Sequence, residues 1–219
     1  MKRYLPIVII ALVFLGAIGA GAYMYRSAHP TPSATPSASS TPTSQANSIQ
    51  PIDYKDQVVL EEFGDYQCPP CGALHPDLKK LKADYAGKIK FVFHQFPLTR
   101  IHQHAAIAAF AAVAAGQQGK FWEMHNLLYE SQEAWKETDN FAPILVNFGR
   151  QLGLNLEQFE SDINSAKVRS IVLTDVQRGE SMGVTGTPTL FLNGKLIDSE
   201  KLTMGYLREE IDKLLKAKS

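Results

Sequence analysis

The chain has 219 residues, with 22 basic and 22 acidic side chains and a formal net charge of zero. Its composition, 45% hydrophobic and 20% charged, is that of one ordinary globular domain with additions. The charge balance, without a basic stripe, excludes an electrostatic footprint for nucleic acid. Two cysteines exclude a scaffold built on several disulfides.

Residues 5–25, LPIVIIALVFLGAIGAGAYMY, carry no charge, follow Lys2 and Arg3, and end at Arg26. At helical rise this run spans roughly 30 Å, about one hydrocarbon core. Ala20-Gly21-Ala22 fits the small-residue cleavage site of a secretory signal. The run is longer than a signal core, however, and continues to Tyr23 and Tyr25, which suit a membrane interface. We read it as a single-pass transmembrane anchor in preference to a cleaved signal. Either way Lys2 and Arg3 stay in the cytoplasm, and the chain after Arg26 lies outside it. No cysteine stands just after the run, so lipid attachment is not expected. Residues 27–50 contain no Asp, Glu, Lys or Arg and are rich in Pro, Ser, Thr and Ala. They predict a stalk, stiffened by proline toward polyproline II. Residues 51–219 remain for a single domain in an oxidising compartment.

In that domain Gln57–Phe63 reads as a strand of β-branched and aromatic residues, broken by Gly64-Asp65. Cys68-Pro69-Pro70-Cys71 opens a helix running to about Tyr85, with Leu74, Leu78 and Leu81 at helical spacing. Pro69 and Pro70 fall in a first turn, where proline is tolerated, whereas Pro76 is expected to kink the helix. Lys88–Phe96 is a second strand, so the unit is β-α-β with a parallel pair. No strand signal follows between about 101 and 165. Ala-rich IHQHAAIAAFAAVAAG, FWEMHNLLYES, NFAPILVNFGRQLG and LEQFESDIN predict a helical insertion, with Phe110, Phe121, Trp122, Leu127, Leu128 and Phe148 in its core. A helix over about 166–182 leads to GVTGTPTLFLNGKLID. There TLFLN and KLI form a hairpin at Asn193-Gly194. A helix over about 203–217 closes the chain, its Lys213, Lys216 and Lys218 offsetting the helix dipole. The order describes an α/β, thioredoxin-like topology, with the cysteine pair at the carboxyl end of the first strand.

The pair Cys68 and Cys71 allows three readings. As a redox centre, cysteines three apart at a helix N-terminus bridge with little backbone movement, and the helix end favours the thiolate of Cys68. Cys68 is then the exposed nucleophile, and Cys71, one turn in, resolves the mixed disulfide. As a structural staple the pair closes too short a loop to contribute more than ~2 kcal/mol. As a zinc or copper site it needs two more ligands, from among His75, His102 and His104. Two further features favour redox chemistry. Thr187-Pro188 enters a strand after a Gly-rich turn and is a candidate cis peptide. Glu62 is an acid on the strand leading to the site, placed to move the proton of Cys71. An acid at an exposed strand end is the simpler reading, and it suits one of Glu61 and Glu62 better than both. His94 reads as a structural histidine, and His102 and His104 as cap or surface residues.

The stretches EEFGDYQCPPCGALHP, KFVFHQFPL, IHQHAAIAAFAAVAAGQQGKFWEMHNLLYE and GVTGTPTLFLNG resemble the DsbA-like, thioredoxin-fold thiol–disulfide oxidoreductases, in their bacterial membrane-anchored branch. The resemblance implies an extracytoplasmic enzyme that exchanges disulfides with exported cysteine-containing proteins through Cys68 and Cys71. It implies the oxidase direction, with a reductase or isomerase of the same fold as alternative. It further implies a cis Pro188 packed against the disulfide, a Thr187 backbone offered to the substrate chain beside Pro69 and Pro70, and Glu62 as the buried acid. It implies no metal or organic cofactor, a membrane redox partner that recycles the disulfide, and a monomer. The dipeptide departs from the strong oxidants, which carry a histidine there. Pro69-Pro70 supplies no such donor and no N–H, which predicts a higher Cys68 pKa and a less oxidising couple.

Overall fold

The computed structural model describes residues 52–218; the readings of 5–25 as an anchor and of 27–50 as a stalk lie outside them. Among the described residues, no helix is long and apolar enough to cross a membrane. Strand β1 (Val58–Gly64) is buried along its whole length. It pairs in parallel with β2 (Ile89–Gln95) and antiparallel with β3 (Thr189–Leu192), which pairs with the short β4 (Lys195–Leu196), giving the order β2-β1-β3-β4. A central strand covered on both faces has a near-continuous apolar sequence, which is why VVLEEF breaks only at its two acids.

Helix α1 (Pro69–Asp84) starts from Cys68, an N-cap in extended geometry, with prolines in its first turn. It runs through Pro76 without a break and buries Leu78 and Leu81. These side chains join Val58, Leu60, Phe91, Leu190 and, from α8 (Met204–Lys218), Leu207 and Ile211 in one apolar cluster. The far end of α8 is tied back to the start of β1, because Lys218 Nζ donates to the carbonyls of Tyr54, Lys55 and Gln57 at 2.6–3.0 Å.

The helical insertion comprises α2 (Ala105–Gln117), α3 (Phe121–Glu130), α4 (Gln132–Trp135), α5 (Ala142–Gln151) and α6 (Leu156–Ile163), followed by α7 (Ala166–Ser181). Small residues along α2 leave all its alanines but Ala106 buried, packed against α3, α6 and α7. Phe121, Leu128 and Phe148 lie in this core, with Phe110, Trp122 and Leu127 packed on its edge. Helix α4 has no counterpart in the sequence reading: one turn is too short to carry a period. Its Trp135 is fully buried, stacks on Phe141 at 4.4 Å and donates to the Leu128 carbonyl at 2.8 Å.

The hairpin turn has φ of 48° at Asn193 and 75° at Gly194, both positive as a two-residue I′ turn requires. Asn193 also bonds β1, its N–H donating to the Val59 carbonyl and its Oδ1 accepting from the Val59 N–H, each at 2.8 Å. Local turn chemistry thereby fixes the register of β3, and so the position of Thr187-Pro188 at its start.

Candidate active site

After β1 the chain turns at Asp65, whose Oδ1 accepts from Gln67 N–H at 2.8 Å and whose carbonyl accepts from Cys68 N–H at 3.1 Å. Asp65 Oδ2 holds the segment after β2, accepting from Leu98 N–H at 2.9 Å and lying 2.7 Å from His102 Nδ1. Gln67 bridges to the insertion, donating to the Lys136 carbonyl at 2.5 Å and accepting from His104 N–H at 2.6 Å. His104 Nε2 lies 2.7 Å from the Thr138 carbonyl. His102 and His104 therefore fasten the loop around the cysteines, and α2 begins only at Ala105. Among the described residues, no group of three or more His, Cys, Asp or Glu is placed to hold a metal ion.

Gln132 is the anchor that sequence reasoning missed. Buried on α4, it donates from one Nε2 to the carbonyls of Tyr66 at 2.7 Å and Cys68 at 3.0 Å. Gly72, four residues on from Cys68, leaves room for it, since a Cβ there would overlap Gln132 Oε1. No local pattern marks such a residue, because its partners lie more than sixty positions away. Gly72→Ala is expected to push Gln132 off both carbonyls and cost about 1–3 kcal/mol, the range for buried groups left unsatisfied. Urea midpoints check this, and in a Gln132→Ala background the same substitution is expected to lose most of its cost.

Both cysteines are free thiols. Cys68 is not the exposed nucleophile expected: it is only 4% exposed, with Sγ 3.3 Å from the Thr187 carbonyl. The Thr187-Pro188 peptide bond is cis, and it brings that carbonyl over the sulfur. The Thr187 hydroxyl is buried without a hydrogen-bond partner, so it is a donor available to a thiolate. Pro69 and Pro70 are exposed beside the sulfur at the mouth of the site. The helix end is expected to lower the Cys68 pKa, and the shift is downward. The Cys71 thiol donates to Cys68 and draws it down to about 6 against the opposing effect of burial, with further help from Thr187 and the Cys71 N–H. Prolines at the first two helical positions remove N–H groups there, but the donors that matter come from Cys71. Cys71 itself is fully buried, and burial, the Cys68 contact and nearby Glu62 all push its thiol far up.

The two acids of β1 point to opposite faces, and both are buried, so the exposed-strand-end reading fails for each. Glu61 faces α7, where Arg178 Nη2 donates to it at 2.7 Å, and Tyr54 Oη donates to its other oxygen at 2.6 Å. His94 lies between Glu61 Oε2 at 3.0 Å and Asp175 Oδ1 at 2.9 Å, stacked on Phe63 at 4.6 Å. Glu62 faces the α1 side and has no hydrogen bond from any described side chain. Burial alone lifts its carboxyl to about 8, so it holds a proton at neutral pH.

Residues 53–213 match the family model described as thioredoxin, Thioredoxin_4. The chain is 30% identical over 166 residues to the probable disulfide bond formation protein D of Bacillus anthracis, covering 73% of this chain and 74% of that protein. It is 37% identical over 138 residues to a protein named Na(+)/H(+) antiporter NhaA 1 of Salinispora arenicola, covering 63% of this chain but spanning only 20% of that relative's length. The fold superposes on BdbD from Bacillus subtilis with a TM-score of 0.62 at 25% identity, over 74% of this chain and 89% of that one. The thiol-disulfide exchange protein alpha-DsbA2 from Wolbachia pipientis gives a TM-score of 0.63 at 24% identity, over 74% of this chain and 84% of that one. With a sheet, an insertion and a buried dithiol arranged in this way, the chain belongs to the thioredoxin family as a DsbA-like thiol–disulfide oxidoreductase.

Proposed function

We propose that the enzyme works in the oxidase direction, handing its Cys68–Cys71 disulfide to cysteine-containing proteins outside the cytoplasm. The observation that carries this reading is the split between the two thiols, Cys68 drawn down to about 6 and Cys71 held far up. A pKa of about 6 ionises roughly nine-tenths of Cys68 at pH 7, against ~1% at its ordinary 9.0. Attack gains little from this, because intrinsic nucleophilicity falls with pKa by about half a log unit per unit and cancels most of it. Departure gains in full. A substrate thiolate attacks Cys68 Sγ, the Cys68–Cys71 bond breaks, and the electron pair leaves on Cys71 Sγ, which takes the Glu62 proton. The second substrate thiolate then attacks its own half of the mixed disulfide and expels Cys68 as a stable thiolate. Low pKa at Cys68 thus speeds delivery of the disulfide and stabilises the reduced protein.

In this reading Thr187 and Pro188, with exposed Pro69 and Pro70, flank the substrate chain as it reaches Cys68. Membrane attachment is supported by the apolar run at 5–25 and by the antiporter names of some relatives. A membrane partner outside the cytoplasm would reoxidise the pair. The test is the equilibrium potential of the Cys68–Cys71 couple against glutathione. A thiolate at about 6 is expected to place it above thioredoxin's ~−270 mV and below DsbA's ~−120 mV. A value at or below ~−270 mV turns the assignment to a reductase.

A further inference from the structure

Beside Glu62 lies a group of ionisable side chains that the chemistry at Cys68 does not use. Between α1, β2 and α3 lies a cleft of about 310 Å³, with Glu62 on its lining and His75, Lys82, Trp122 and His125 around it. That volume holds roughly ten waters at ~30 Å³ each. Glu62 is 2% exposed, and its carboxyl, with no side-chain partner among the described residues, lines this cleft.

His75 follows Cys71 by one helical turn and is 5% exposed. Its Nε2 is buried without a hydrogen-bond partner and lies 3.9 Å from Glu130 Oε1. Glu130 is 48% exposed and takes a hydrogen bond from Lys79 at 2.5 Å. A buried ring nitrogen left unbonded is costly in a structural histidine. His94, on the other face of the sheet, has both nitrogens engaged. His75 is thus in the cleft with Glu62 and also within one small side-chain movement of a solvent-exposed carboxylate.

We propose that His75 carries the proton between solvent and Glu62, so that the cleft is the route by which the buried acid is recharged after each turnover. This rests on the reading of Glu62 as the proton donor to Cys71. When the Cys68–Cys71 bond breaks, Glu62 gives its proton to the departing Cys71 sulfur and becomes a carboxylate in an apolar site. The neutral ring of His75 takes a proton from the Glu130 side, where solvent supplies it, and the imidazolium so formed passes a proton through water in the cleft to that carboxylate; no electron moves.

His125 does not serve in the same way. Its Nδ1 is engaged by the Tyr66 hydroxyl at 3.2 Å, and complete burial keeps it neutral. The groups that face His75 are Lys79 from its own helix, and His125, Tyr129 and Glu130 from α3. Burial and Lys79 lower its pKa while Glu130 raises it, so the ring rests neutral and is charged only in passing. Across the cleft the Lys82 ammonium sits 3.0 Å over the Trp122 ring. Positive charge there favours the transient Glu62 carboxylate without donating to it.

The experiment mixes oxidised protein with excess dithiothreitol and follows two signals in one sample. Rapid alkylation reports cleavage of the Cys68–Cys71 bond, and a pH-indicator dye in weak buffer reports proton exchange, in which uptake by the protein is read as the part that offsets the protons released by the dithiothreitol thiols. In the parent protein the two are expected to coincide. In His75→Ala and His75→Gln the uptake phase is expected to lag about tenfold, less than the ~10²-fold typical of a group at the reacting atoms, with bond cleavage unchanged. Added imidazole is expected to restore uptake in the alanine variant, saturating as it fills the vacated site. A merely structural histidine would not respond in this way. Coincident signals in both variants, or a lag that imidazole leaves untouched, overturn the proposal. Glu62→Gln separates the two layers: with no proton held ready for the departing Cys71 sulfur, bond cleavage itself is expected to slow, and if cleavage keeps the parent rate, Glu62 is not the donor and the underlying reading falls first.

Discussion

Cys68→Ser is expected to reduce thiol–disulfide exchange to the uncatalysed background, whereas Cys71→Ala is expected to stop the cycle one step later with the substrate still attached. The difference follows from geometry. Cys68 is the N-cap sulfur beneath the Thr187 carbonyl, at the one end of α1 that a substrate chain can reach past Pro69 and Pro70. Without it no mixed disulfide forms, because a serine hydroxyl at its ordinary pKa is no nucleophile toward sulfur. Cys71 is fully buried, so substrate meets it only through Cys68. Removing it leaves a nucleophile without a resolving partner, and disulfide substrates are expected to accumulate as adducts visible on non-reducing gels and reversed by dithiothreitol. The alanine variant carries a second expectation. The Cys71 thiol is the largest cause of the lowered Cys68 pKa, so its loss is expected to return Cys68 from about 6 toward its ordinary 9.0, read by ultraviolet thiolate absorbance against pH. A Cys68 pKa still near 6 in Cys71→Ala would move the cause to the backbone N–H groups and Thr187.

What was legible in the sequence was what local chemistry dictates. The two cysteines three apart after a strand, the prolines that a first helical turn readily accepts, and Asn193-Gly194 between apolar runs each carry their structural meaning within a few residues. They place the sheet, the first helix and the turn that sets β3. Glu62 was legible as an anomaly, a charge in a strand otherwise built for burial. Its neighbour Glu61 misled for the same reason: one acid at an exposed strand end is common, and two adjacent acids turned to opposite buried faces are not. The parts that stayed hidden are pairings across long stretches of chain. Arg178 and Glu61 are 117 positions apart, His94 and Asp175 are 81 apart, and Gln132 reaches back 64 to Cys68. A histidine, an arginine or a glutamine has no local pattern that says whether it meets water or a partner. The main cause of the Cys68 shift was hidden in another way. Reading the dipeptide alone counts the donors that proline removes, and it misses the thiol of Cys71 that the next turn of helix supplies.

Glu61→Gln is expected to destabilise the domain by about 3–5 kcal/mol, the cost of breaking a buried ion pair from one side. The substitution keeps the shape and removes the charge that Arg178 Nη2, Tyr54 Oη and His94 Nε2 all address within 3.0 Å. Arg178 and His94, which both address Oε2, are then left on a neutral amide oxygen, and an amide N–H2 stands where Tyr54 Oη had its acceptor. Against a total stability of about 5–15 kcal/mol the loss is large, and a fall in the urea midpoint at constant slope measures it. The parent protein carries the same network as a pH dependence. Burial pushes the Glu61 carboxyl up, but the hydrogen bonds from His94, Tyr54 and Arg178 win and hold it at about 2 against an ordinary 4.5. A carboxylate with a depressed pKa contributes stability that is present above about 4.5 and is lost as pH falls toward about 2, some 3 kcal/mol in all. His94 runs the other way. Burial lowers it, yet Asp175 and Glu61 raise it above its ordinary 6.5, so its contribution is complete below about 6.5 and is lost as pH rises through its folded value. The network is therefore strongest between about 4.5 and 6.5, on the acid side of neutrality. In Glu61→Gln the acid limb of the stability profile is expected to flatten, and His94, left with Asp175 alone, is expected to titrate lower, moving the alkaline limb down with it. An acid limb of unchanged steepness in the variant would show that other carboxylates, and not this cluster, govern unfolding at low pH.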